Sequence, residues 1–344
     1  MTTVDVSDTS YNTRYNLREY EDPEAWEYYM DQLAQRWDPE EIVLASDKDQ
    51  FNSLEDRYKT LVKDLVAFFA PGDGIVCEQI DHLKAESKVF AQRAFLGEQF
   101  SIEVVHARAY KAIIETFFPN REAEEIYQMV DTLPCVKEKA DFVTHYMEAK
   151  TLPLGVRYVS AAVSEGVFFV SLFAIIFYLK KKGLLSNFCF LNEQVAKDEK
   201  LHRDYDMMMA KRLLTPEDYP LVEKIVRDGI EIETRHIEYI LRDSIDTPEL
   251  DGLGGITVDN MKRYIAKLGD DIMIGCGLPR TFTYPSNRPP VEGRLEEYSP
   301  AWMSVASMSR KTNFYEGIVG NYATISKKGT GDIDQSMTGD FDFD

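Results

Sequence analysis

Cysteine is scarce in this chain: Cys77, Cys135, Cys189 and Cys276 form no CxxC and no close pair. That speaks against a disulfide framework, a zinc–thiolate site or an iron–sulfur cluster. It suits a reducing compartment, so a cytoplasmic location is expected. Positive charge is in deficit too, with 39 Lys and Arg against 59 Asp and Glu and a net charge of −20. Neither nucleic acid nor an anionic membrane is an expected partner of so acidic a chain. A Gly-rich phosphate loop of the P-loop type is missing, so nothing marks a nucleotide site. Long apolar runs are missing as well. The longest, residues 166–179, falls short of the roughly 20 residues that a membrane span needs. Extending it back to Tyr158 makes it long enough but encloses Glu165. A carboxylate there is costly in lipid and well used as a buried metal ligand, so this is a core helix. The first residues, Met1 to Asp8, lack the basic and apolar regions of a signal peptide.

Proline spacing outlines the secondary structure, because proline is poorly tolerated inside helices. The gaps predict helices near 53–69, 76–116, 121–131, 136–150, 154–182, 188–213, 217–245 and 258–268, with a break at residues 183–187. No stretch shows sustained strand alternation, so an all-α fold is expected. Residues 279–300 carry five prolines and read as an irregular wrap. The expected organisation is a flexible segment at 1–15, one helical domain at 16–322 and a flexible tail at 323–344, both ends being polar.

Chemistry concentrates in two short strings, Glu103-Val-Val-His106 with Tyr110 one turn on, and Asp198-Glu199-Lys-Leu-His202. On a helix, residues three apart lie about 60° apart and one turn up, so each carboxylate meets an imidazole. Two such pairs, with carboxylates from neighbouring helices, hold a di-iron or di-manganese site in four-helix bundles. Asp73 and Glu165 supply those further carboxylates from apolar surroundings, although an aspartate after Pro71-Gly72 also suits a turn or a helix cap. Carboxylates are hard anions that bridge two metals, and imidazole completes each shell as a neutral donor. A third string, Glu233-Thr-Arg-His236, sits in a strongly charged stretch and reads as a solvated helix face.

Together these residues resemble the small, radical-generating subunit of class I ribonucleotide reductase, within the ferritin-like superfamily. The resemblance rests on Trp37-Asp-Pro-Glu-Glu-Ile42, residues 68–76, the Glu103 string with Tyr110, residues 161–169, residues 192–202, and Asn313-Phe-Tyr-Glu316 with Tyr322. It implies a ferritin-like helical bundle with a dinuclear metal site in its core. One metal would be held by Asp73, Glu103 and His106, and the other by Glu165, Glu199 and His202, with Glu103 and Glu199 bridging. Tyr110 would carry the radical, shielded by Phe169, Phe173 and Val195. Trp37, Asp198 and His106 would form a relay from the surface, continued by Tyr322. The implied cofactor is two Fe ions per chain, a dimanganese centre using the same residue types. The implied activity is O2-dependent radical generation for ribonucleoside-diphosphate reduction, in a homodimer that docks a large subunit through its C-terminal tail. Competing readings are a ferritin-like oxidase acting on a small molecule and an iron-storage protein.

Overall fold

The computed structural model of the chain describes residues 21–242 and 256–305. The flexible ends expected at 1–15 and 323–344 lie outside the described residues, as do the Asn313 motif and Tyr322.

The first helix of the described residues, which proline spacing does not reveal, is α1 (Pro23–Ala34), started by Pro23 at its first position and by Asp22, whose side chain accepts the Ala25 N–H. A short α2 (Lys48–Ser53) leads into the long pair α3 (Asp56–Glu86) and α4 (Phe90–Phe117). Next come α5 (Asn120–Thr132), α6 (Pro134–Glu148), α7 (Leu154–Val163), a π-helical turn (Ser164–Phe169) and α8 (Val170–Lys181). Then follow α9 (Ser186–Leu213), α10 (Tyr219–Ile240) and α11 (Val258–Gly275). The proline-rich wrap holds one minimal parallel pairing, Thr283–Tyr284 with Leu295–Glu296. It is tied down by buried Asp270, whose carboxylate accepts the backbone N–H groups of Thr281, Phe282 and Thr283.

Two helix boundaries depart from expectation. Pro71 does not end a helix but lies inside α3, and Asp73 follows it on the same helix rather than in a turn. Proline deletes one helical hydrogen bond, yet packing on both sides of Pro71, from Leu65 to Val76, outweighs that loss. Gly72 has a packing reason, since a Cβ there would lie 3.1 Å from the Phe169 ring. The real break comes at residues 87–89, where Ser87 turns extended with no proline or glycine to announce it. By contrast, the break after residue 182 is where it was expected, with Gly183 and Leu185 both at positive φ.

The continuous helical stretch Leu154–Lys181 is long and apolar enough to cross a membrane, but 94% of its apolar window is buried by the other helices. It is the central core helix, and Glu165 lies in its π-helical turn.

Candidate metal centre

Four elements converge on the middle of the bundle. α3 brings Asp73, α4 brings Glu103 and His106, the π-helical turn brings Glu165, and α9 brings Glu199 and His202. All six are buried, with no more than 1% exposed. A π-helical turn inserts one extra residue into a helix and re-aims the side chains around it, which is why such turns gather at functional sites. Nothing in residues 160–170 signals it.

The six residues form two overlapping groups. Potential ligand atoms of Asp73, Glu103, His106 and Glu199 all lie within 4.8 Å of one another, and so do those of Glu103, Glu165, Glu199 and His202. Glu103 and Glu199 belong to both, which is the position a bridging carboxylate occupies. Both imidazoles turn Nδ1 inward. His106 Nδ1 is 3.2 Å from Glu103 and 3.1 Å from Glu199, and His202 Nδ1 is 3.0 Å from Glu103.

The donor set fits a pair of cations. Both oxygens of Asp73 and one of Glu165 are buried with no N–H donor to meet them, and Glu103 and Glu199 meet the two imidazoles. Buried carboxylate oxygens in that state are expensive unless a proton or a metal meets them. Four carboxylates carry four negative charges, which two divalent cations balance. In the metal-free chain protons do this work instead. Burial pushes the Asp73 and Glu165 carboxyls well above their ordinary range. Burial also opposes charge on Glu199, but hydrogen bonds from Glu165, His106 and His202 outweigh it and hold that carboxyl low. For His202, burial is outweighed by Glu103 and Glu199, and its pKa is pushed up to about 10.

Tyr110 is fully buried, and its hydroxyl donates to Asn192 Oδ1 at 3.0 Å. The Asn192 amide is held in turn by the Phe188 carbonyl at 2.8 Å. Phe69 stacks on Tyr110 with centroids 4.9 Å apart, and Phe173 stacks on Phe69 at 5.1 Å. Phe169, Phe173 and Val195 are all buried as well. Asn192 and Phe69 lie within the motif stretches 192–202 and 68–76, but nothing local in the sequence pairs them with Tyr110. Burial also pushes the Tyr110 phenol well above its ordinary pKa, so it stays protonated.

Trp37, Asp198 and His106 are hydrogen-bonded in series. Asp198 Oδ2 accepts the Trp37 indole N–H at 2.8 Å and lies 3.1 Å from His106 Nε2. The Trp37 and His106 rings also stack, with centroids 6.1 Å apart. Gln32 on α1, which sequence reasoning missed entirely, reaches both Asp198 and His202.

The third Glu-x-x-His string is not a solvated face. Glu233 and His236 are fully buried on α10, where Glu233 pairs with buried Lys139 at 2.5 Å and accepts from Ser171. His236 packs edge-on against Phe68. The charged neighbourhood misled because the register mattered more: Val222, Ile225, Val226, Gly229, Glu233, His236, Ile237 and Ile240 share one helical stripe. Neither residue belongs to a group able to hold a metal among the described residues.

Fold and site together define a ferritin-like helical protein whose core carries a carboxylate–histidine cluster able to hold two metal ions. The family model described as ribonucleotide reductase, small chain, matches residues 14–289. Subunit M2 of ribonucleoside-diphosphate reductase from Danio rerio is 33% identical over 320 residues, covering 92% of this chain and 78% of that protein. The human M2 subunit is 32% identical over 327 residues, covering 94% and 78%. Among solved structures, the R2 subunit of Clostridium botulinum ribonucleotide reductase superposes with a TM-score of 0.72 at 20% identity, over 85% of this chain and 91% of that one. The Rnr4 homodimer of Saccharomyces cerevisiae gives 0.68 at 23% identity, over 92% and 91%. The chain belongs to the ribonucleotide reductase small-chain family. It is an oxidoreductase subunit that works with a large subunit, and the small-molecule oxidase and iron-storage readings fall away.

Proposed function

We propose that this chain generates and stores a tyrosyl radical on Tyr110 and delivers its oxidising equivalent to the large subunit of a ribonucleoside-diphosphate reductase. The observation that carries the reading is the pair of overlapping ligand groups, sharing Glu103 and Glu199, in the same dry core as a phenylalanine-walled tyrosine. Asp73, Glu103 and His106 would hold one metal, and Glu165, Glu199 and His202 the other. Once bound, the metals would supply the electrons that activate O2 and the oxidising power that removes an electron and a proton from Tyr110. Iron is the proposed metal; manganese takes the same donor types, and a structural neighbour from Streptococcus sanguinis is a dimanganese(II) protein.

The protein's own work is positioning and exclusion. Asn192 holds the phenolic hydrogen and so fixes the Tyr110 ring, while Phe69, Phe169, Phe173 and Val195 keep water and reductants from it. Asp198 orients the His106 ring and links it to Trp37, giving the oxidising equivalent a hydrogen-bonded way out. From there Tyr322 and the segment 323–344 would continue the route and dock the large subunit, residues 16–322 forming the domain proper. A homodimer in the cytoplasm is the proposed state, a structural neighbour being itself a homodimer.

The test is Tyr110→Phe, loaded anaerobically with iron(II) and exposed to oxygen. It should bind two metals per chain, show no tyrosyl signal by electron paramagnetic resonance and lack reductase activity with the large subunit. A full radical signal would overturn the assignment.

A further inference from the structure

Gln32 is fully buried on α1, and its side-chain amide joins two parts of the site. Its Nε2 donates to Asp198 Oδ1 at 2.9 Å, and its Oε1 lies 3.0 Å from His202 Nε2. A primary amide donates at one end and accepts at the other. The reverse orientation would set the amide oxygen against the Asp198 carboxylate, so the direction is determined. With Oε1 as acceptor, His202 carries a hydrogen on Nε2 and turns Nδ1 toward Glu103 and Glu199. The other oxygen of Asp198 already serves Trp37 and His106.

We infer that Gln32 is a positioning residue: its amide selects the metal-binding tautomer of His202 and ties that ligand to Asp198, the carboxylate that also orients His106. Both imidazoles and Trp37 are thereby held in one hydrogen-bonded chain running Trp37–Asp198–Gln32–His202, with His106 branching from Asp198. The inference rests on reading Glu103, Glu165, Glu199 and His202 as a metal-binding group. Partners that orient a metal-ligating histidine typically contribute about 10–100-fold in metal affinity.

The experiment titrates manganese(II) into the metal-free full-length chain and follows free manganese by electron paramagnetic resonance. Gln32→Met and Gln32→Glu are compared with wild type. Methionine keeps the unbranched shape and loses both hydrogen bonds; glutamate keeps an acceptor for His202 and, when protonated, a donor for Asp198. One of two manganese ions should bind about 10–100-fold more weakly in Gln32→Met and within about threefold of wild type in Gln32→Glu. A packing role predicts the opposite order. Wild-type affinity for both ions in Gln32→Met, or loss of an ion in Gln32→Glu, overturns the inference. Should Gln32→Met fail to fold by circular dichroism, the glutamate variant alone decides. Fewer than two ions per wild-type chain would instead sink the metal-site reading, and this inference with it.

Discussion

Raising the pH should destabilise the metal-free chain, and His202 allows the size of the effect to be worked out. Its folded pKa of about 10 stands above the ordinary 6.5, because Glu103 and Glu199 outweigh the burial that opposes its charge. The folded state therefore keeps a proton that the unfolded chain releases. The stabilisation is complete below the unfolded value and is lost as pH rises toward the folded one. Within that window a single group contributes a slope of about 1.4 kcal/mol per pH unit, so moving from about pH 7.5 to about pH 9 removes about 2 kcal/mol. His106 is raised by carboxylate partners as well, with the same sign, so the total slope reports more than one group. The assay isolates His202 by comparing urea unfolding of metal-free wild type and His202→Gln at the two pH values. The variant should lose about 2 kcal/mol less than wild type across the interval. A metal held by His202 would take the place of the Nδ1 proton, so loading with manganese should flatten the wild-type slope. Equal pH slopes for wild type and variant in the metal-free state would refute the reasoning.

Three other outcomes are expected. Glu165→Ala should hold one metal per chain while its metal-free form melts no lower than wild type, because the substitution removes a carboxyl that burial pushes well above its ordinary pKa; two metals by elemental analysis would show that Glu165 is not a ligand. Lys139→Met strands Glu233 in the core and should cost about 3–5 kcal/mol in denaturant unfolding, most of it recovered in Lys139→Met/Glu233→Leu; an unperturbed single variant would mean the pair is neutral. Deleting residues 330–344, which carry five aspartates, no lysine or arginine, and Phe341 and Phe343, should leave the Tyr110 radical intact and abolish turnover with the large subunit. Normal turnover by the truncated chain would place docking elsewhere.

What the sequence determined by itself was the helical class and the local pairs. Glu103 with His106, and Glu199 with His202, are three-residue relations that a helix converts directly into proximity. Buried Glu165 was equally legible, because an ionisable group inside an apolar stretch needs a structural reason. The tertiary structure alone decided how those pairs are used. Pro71 is absorbed into α3 because packing against neighbouring helices outweighs one lost hydrogen bond, and no local signal reports that balance. The π-helical turn that carries Glu165 and the amide bridge of Gln32 across 170 residues depend on contacts between helices distant in sequence. Glu233 and His236 make the same point in reverse: their neighbours along the chain are charged, but helix register turns both side chains inward, onto Lys139 and Phe68. Sequence determines what lies within one helical turn of a residue; which faces are dry, and which distant groups meet there, is settled only when the helices pack.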